Sequence, residues 1–387
     1  MSAPGGRLPI VIRPLGPRDL PGLVRMRHGG VRLDLPETLL GAYTPLKGLA
    51  ESRWLPFRRG RVRTYVAFAE RVPCAFVQAR SRPAGHKWDI LHLGAASGGA
   101  IAGGRVELWT ALLDYATIAA GRRGVRRLYA KLPALADPDA AAALRAAGYA
   151  RYGGERVYLL HGDGARIPVW GRDGAGSGLE AAGVAGTAAV PRPQRPDDTW
   201  ALHQLYTWTA PKPVQHAEAY TSDRWEVPKG GRLRGRGGLR EWGFIAERGH
   251  EIAVYCRVSR RGWRSRLEFV FDPHGRELLA PTLAAVLRWL APVKGERVYC
   301  TAREFQEELV APLEAHGFEP LGEQDLFVRY TTVSARSPAR YRWPALEKRR
   351  VAVPARLSLQ REGMGPLEGR REGAEEPVLA GAAPGRH

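Results

Sequence analysis

Residues 104–160 read GRVELWTALLDYATIAAGRRGVRRLYAKLPALADPDAAAALRAAGYARYGGERVYLL. Leu108, Leu112 and Tyr115 recur at helical spacing after Gly104-Arg105, and the β-rich run Leu128-Tyr129-Ala130 follows. Asp137 with Pro138 after it marks a second helix start, and Gly148-Tyr149 its stop, before Val157-Tyr158-Leu159 closes the stretch as a strand. The order recurs from Gly275 to Arg329. There Gly275-Arg276, Leu279, Leu283 and Val298-Tyr299-Cys300 match the first part, and Gly317-Phe318 and Leu326-Phe327-Val328 match the second. Pro312 falls in the second copy's last helix and predicts a kink or a division there. The chain is a duplication.

Working outward, the repeat extends to both beginnings. Ile10-Val11-Ile12 predicts an opening strand, and Arg13-Pro14, Pro17, Asp19, Leu23 and Met26 stand in register with Arg192-Pro193, Pro196, Asp198, Leu202 and Leu205. Asp19 suits a helix N-cap. Two strands joined by a turn follow in each half, Tyr65 to Val77 and Trp242 to Val254, then a glycine turn at Gly85 or Gly262. A third strand comes next, Ile90 to Leu93 or Leu267 to Phe271, and a loop joins it to the organising helix. These signals predict an N-terminal domain over 8–161, a linker over 162–189, a C-terminal domain over 190–332 and a disordered tail over 333–387.

At 387 residues the chain can bury two cores. No secretory leader or apolar run of spanning length is visible, so the reading is a soluble cytoplasmic protein without a membrane partner. Cys74, Cys256 and Cys300 are too scattered for a disulfide framework or a zinc site. The net charge of +20 favours acidic or phosphate-bearing partners, nucleic acid among them, although a generically basic surface gives the same figure. A second duplicated pattern, Arg53-Trp54 with Gly60-Arg61-Val62-Arg63 and Arg224-Trp225 with Gly231-Arg232-Leu233-Arg234, offers either a packing tryptophan or a basic edge for a polyanion.

Strand, helix, irregular segment, three strands, loop, helix, strand, helix, strand, written twice, resembles the GNAT superfamily of acyl-CoA-dependent N-acyltransferases. The resemblance implies an α/β (α+β) fold of two tandem domains, each a mixed, mostly antiparallel twisted sheet flanked by helices. It also implies transfer of an acyl group from acetyl-CoA or another acyl-CoA to an amine acceptor. In that family the sheet splays between its fourth and fifth strands, and the pyrophosphate sits on the loop before the next helix. Carried over, the cofactor-binding candidates are Gly98, Gly99, Gly103, Gly104 and Arg105 in the first half and His274, Gly275 and Arg276 in the second. The first loop holds more glycine, so the first half is the expected acyl-CoA site.

Two departures matter. Neither loop carries the family's phosphate motif, and Leu144 and Leu313 stand where a proton-donating Tyr is common. Another acid is then needed, water or a nearby Tyr; Tyr129 and Tyr299 lie in the preceding strands, where they read first as half-buried sheet aromatics. The candidate general base is Glu268, on the fourth strand of the second half, with Asp89 and His92 as its counterparts in the first. The alternative is a non-catalytic scaffold that binds CoA-type ligands or a polyanion such as nucleic acid.

Overall fold

The computed structural model describes residues 10–26, 30–41, 62–82, 85–96, 104–162, 191–227, 238–291 and 295–331. The expected linker and tail, along with Gly98, Gly99, Gly103, Trp54 and the arginines from Arg232 to Arg236, lie outside those residues.

The first half runs β1 (Ile10–Pro14), α1 (Leu20–Met26), β2 (Gly30–Arg32), α2 (Leu35–Leu39), β3 (Val62–Ala69), β4 (Val72–Ser81) and β5 (Lys87–Ala95). Helix α3 (Gly104–Gly121), β6 (Arg127–Pro133), α4 (Pro138–Ala146) and β7 (Ala150–His161) complete it. The second half runs β8 (Arg192–Pro193), α5 (Asp198–Thr209), α6 (Lys212–Glu218), β9 (Arg240–Arg248), β10 (Glu251–Arg261) and β11 (Arg264–Phe271). It ends with α7 (Leu279–Leu290), β12 (Arg297–Arg303), α8 (Val310–Ala315) and β13 (Glu319–Tyr330). The order is the one the resemblance implies, written twice.

Local chemistry repeats with the elements. Arg13 holds Asp19 through two bonds of 2.7 and 2.8 Å, and Arg192 holds Asp198 at 2.8 and 2.7 Å. Asp19 accepts from the Gly16 amide instead of capping α1 directly. The Asp137 carboxylate does cap α4, accepting from the Asp139 amide at 3.0 Å. Gly148 and Gly317 both stand at positive φ, 77° and 84°, where a side chain would be strained, and so stop their helices alike. Pro312 lies in the first turn of α8, and a separate 3-10 turn, Glu307–Leu309, precedes it, so the segment is divided as its proline predicts.

The strands form a single sheet in the order β1-β3-β4-β5-β6-β13-β7-β12-β11-β10-β9-β8, with β2 on β5. Two pairings within it are parallel, β5 with β6 and β11 with β12, and the others are antiparallel. The two halves exchange their last strands. β13 of the second half inserts between β6 and β7 of the first, and β7 lies against β12 of the second. At the centre of the β13–β7 ladder Gln324 is paired with Glu155, and these two residues hold matching places in the two copies. The pair therefore marks an approximate twofold axis, as in an isologous dimer folded from one chain.

Alternation along each strand separates the faces. One face carries the main cores: α3 and α4 over residues such as Tyr65, Ala67, Leu128 and Ala130, and α7 over Val254, Cys256, Leu267 and Cys300. The other carries α1 over Val66, Phe68 and Phe76, and α5 over Ile245 and Tyr255. Among the described residues no helix is long and apolar enough to cross a membrane.

Because each half lends its last strand to the other, residues 1–162 and 163–387 produced as separate chains in one cell should assemble as a one-to-one heterodimer. Light scattering on the purified material checks this, and two stable monomers would contradict the exchange.

Candidate functional site: a charged hollow between the halves

The two splayed gaps of the sheet differ. In the first half β5 and β6 pair from Lys87 and Arg127 to Ile90 and Ala130, and β5 then runs on to Ala95 without β6. The chain fills that gap itself. β2 pairs antiparallel with β5, Gly30 against Gly94 and Arg32 against His92. The Leu33 amide donates to Leu91 O and the Asp34 amide to Lys131 O, each at 2.9 Å, so the segment is stitched to both sides. A Cβ at Gly30 would collide with the Leu93 carbonyl and the Gly94 Cα, so glycine lets β2 lie this close.

In the second half β11 and β12 pair from Arg264 and Arg297 to Glu268 and Thr301, and then separate. Among the described strands none pairs with β11 on that side beyond Glu268. Among the described residues one side chain crosses the gap: Gln306 donates to the Phe269 carbonyl at 2.9 Å and accepts from the Arg303 amide at 3.1 Å. Beside it lies a hollow of about 70 Å³, walled by aromatic rings, including Tyr206, Trp225 and Tyr255, and by Glu155, Glu218, Glu268, Arg224, Arg257 and Arg303.

Those charges come from both halves. Glu155, on β7, receives Lys131 Nζ at 3.0 Å, the Gln324 side-chain amide, and Arg303 Nε at 3.3 Å. Arg303 also donates to Glu218 at 2.7 Å, and Tyr206 donates to the other Glu218 oxygen at 2.8 Å. A row of alternating charge thus crosses the exchanged strands. Burial alone would raise the Glu155 carboxyl, but Lys131, Arg303 and Arg266 outweigh it and hold it at about 2. Burial likewise raises the Tyr206 phenol, with Glu218 adding to the effect, so Tyr206 stays protonated. Helix α6, which carries Glu218, is anchored to the first half: Lys87 donates to the Glu218 and Ala219 carbonyls at 2.9 and 2.7 Å, and Tyr129 to Ala217 O at 2.9 Å. Burial, with Arg82 and Arg127 nearby, brings the Lys87 ammonium down to about 8.

Of the sequence candidates, Glu268 lies on the hollow, with Arg224 donating at 3.1 Å to one oxygen and Arg266 paired to the other. His274, Gly275 and Arg276 lie away from it, in a 3-10 turn whose first amide, His274 N, is taken by the Asp272 carboxylate at 3.0 Å. Gly104 begins α3, and Arg105 pairs with Asp137 and Asp139 at 2.6 and 2.9 Å. Arg105 borders a separate, open hollow of about 470 Å³, with Gly30, Val31 and Arg32 on its wall. Leu144 and Leu313 are fully buried, and Tyr299 is 1% exposed. Asp89 is held by Arg82 at 3.0 and 2.6 Å; burial would raise its carboxyl, but Arg82 and Arg80 keep it below its ordinary value. His92, pushed down to about 4 by burial and then Arg32, is neutral near pH 7. Trp225 is buried against Tyr206, Tyr220 and Tyr255, the packing role that one reading of the duplicated motif expects.

Sequence reasoning did not single out Glu155, Glu218 or Arg303. They lie on three elements brought together by the strand exchange, and only Glu155 and its counterpart Gln324 could have been found, as unlike polar residues at matching places in the last strands of the two copies.

Neither a family model nor a curated protein matches the chain. Among solved structures, it is similar to a tandem GNAT protein from the clavulanic acid biosynthesis pathway, at 16% identity and a TM-score of 0.45, over 84% of this chain and 99% of that one. It is also similar to a GCN5-related N-acetyltransferase from Sphaerobacter thermophilus, at 10% identity and 0.46, over 83% and 96%. A putative acetyltransferase from Pyrococcus horikoshii is similar at 12% and 0.39, over 83% and 89%.

The charge row sets an acid dependence. The Glu155 carboxyl stands below its ordinary value of 4.5, so its stabilisation is complete above about pH 4.5 and is lost as pH falls toward 2. Glu155→Gln should cost roughly 3 to 5 kcal/mol at pH 7, because Lys131 and Arg303 lose a buried counter-charge. It should also flatten the decline in stability between pH 4.5 and 2, as urea melts at stepped pH will read. An unchanged slope would mean that Glu155 carries no such charge.

Proposed function

We propose that the chain is an acyl-CoA-dependent N-acyltransferase in which only the second half works as a transfer site. The observation that carries this reading is the difference between the gaps: β2 fills the first, whereas among the described residues only one side-chain amide crosses the second beyond Glu268. An extended arm bearing amide groups can pair with a free strand edge, as peptides do in strand addition. Among the described residues no strand covers the β11 edge from Phe269 to Phe271, which can take such an arm once Gln306 yields, and the acyl end then reaches the charged hollow.

In this reading the acceptor amine attacks the thioester carbonyl; a C–N bond forms and the C–S bond breaks. Glu268 takes the amine proton. Its two oxygens each hold one guanidinium, and a carboxylate oxygen has a further lone pair for that proton. The leaving sulfur needs no phenol. An ordinary thiol has a pKa of about 8.5, so the thiolate can leave and take a proton from water, which removes the difficulty raised by Leu144 and Leu313. The first half acts as a structural partner, supplying Glu155 and the anchors of α6.

One observation favours the alternative of a binding protein without chemistry. The Asp272 carboxylate already occupies the first amide of the turn before α7, where the resemblance would put a pyrophosphate. Acetyl-CoA titrated into the full chain, followed by thiol release in the presence of a panel of amines, separates the two. The transferase reading expects binding and amine-dependent release, slowed on the order of 100-fold or more in Glu268→Gln with acetyl-CoA affinity unchanged. Binding without release for any amine would leave the alternative.

A further inference from the structure

Two donors of the hollow's wall lack a partner among the described residues. Trp225 Nε1 and Arg303 Nη1 are out of solvent contact and unbonded, and both residues line the hollow. Trp225 is only 4% exposed, so its indole N–H cannot turn to bulk water. The carboxylates there are all engaged. Glu155 is held by Lys131 and Arg303, Glu218 by Arg303 and Tyr206, and Glu268 by Arg224 and Arg266. A buried donor without an acceptor is costly, so what the hollow lacks is an acceptor oxygen, and two donors suit the two oxygens of one carboxylate.

Charge and size narrow the ligand. Glu155, Glu218 and Glu268 balance Arg224, Arg257 and Arg303 on the wall, a near-neutral surround that suits a zwitterion better than a dianion such as phosphate. About 70 Å³ admits a few heavy atoms, and the rings of Tyr206, Tyr220 and Tyr255 offer an apolar lining for a short stem. We propose that the hollow holds the carboxylate of a small amino acid, with Trp225 Nε1 and Arg303 Nη1 as its donors, so that the acceptor amine and the carboxylate belong to one molecule. The assignment of the amine as acceptor rests on the acyltransferase reading; the carboxylate subsite stands on the unpaired donors alone.

Calorimetry on the full chain in a carboxylate-free buffer tests it, with glycine, β-alanine and γ-aminobutyrate as probes and methylamine, ethylamine and propylamine as their counterparts without the carboxylate. At least one amino acid should bind, and its amine counterpart should bind roughly tenfold more weakly or not at all, as expected for loss of a hydrogen bond to a charged group. Trp225→Phe keeps the ring and removes only the N–H; it should melt close to the parent and bind the amino acid roughly tenfold more weakly. The proposal is overturned if no amino acid binds, if the amines bind as well, or if Trp225→Phe binds like the parent. Acetyl-CoA titrated in parallel keeps the two ideas apart. If it binds and no amino acid does, the subsite is wrong and the transferase reading survives; if amino acids bind to a protein that ignores acetyl-CoA, the transferase reading falls and the subsite stands.

Discussion

The contact on which the rest depends is the meeting of Glu155 and Gln324 at the approximate twofold axis. Two carboxylates at that point would repel in a buried setting, whereas an amide facing a carboxylate donates to it. The difference between the copies therefore permits β7 and β13 to lie side by side, and with that pairing the halves share one sheet. It also gives the charge row a direction. Lys131 approaches Glu155 from the first half and Arg303 from the second, and Arg303 passes on to Glu218. Breaking a buried pair of this kind typically costs 3 to 5 kcal/mol, so the row fixes the register of the exchanged strands as well as the shape of the hollow beside them.

Duplication supplied two equivalent gaps, and the chain has treated them differently. In the first, Gly30–Arg32 adds a strand to β5, and Leu33 and Asp34 tie both edges. In the second, the neighbouring element is α6, a helix whose C-terminal end is held by Lys87 and Tyr129 of the first half and which points Glu218 at Arg303. One gap is closed by backbone and the other keeps a polar chamber. The first half then works through the second: it contributes a strand, a carboxylate and the anchor of a helix.

Much of this was legible in the sequence. The matched Arg13-Asp19 and Arg192-Asp198 pairs, Gly148 and Gly317, and the capped start at Asp137 are local devices whose chemistry is written in neighbouring residues. The place of Glu268 on the fourth strand of the second half was legible too, between Leu267 and Phe269. The exchange was not, since Val157-Tyr158-Leu159 reads as the same strand whichever half it pairs with. β2 is three residues, Gly-Val-Arg, too short for a period to register, and it is a strand only because the β5 edge is there to receive it. The glycine-rich first loop drew attention to the first half because composition reports freedom of the backbone, while occupancy of the gap is decided by a segment far from it in sequence.

The account's central claim is that the two gaps are unequal, the first sealed and the second receptive. Hydrogen exchange on the full chain, with and without saturating acetyl-CoA, measures this most directly. The prediction is slow exchange of the Leu33 and Asp34 amides in both states, with ligand-induced protection confined to Phe269–Phe271. Protection appearing instead along Leu91–Gly94, with β2 released into fast exchange, would contradict it.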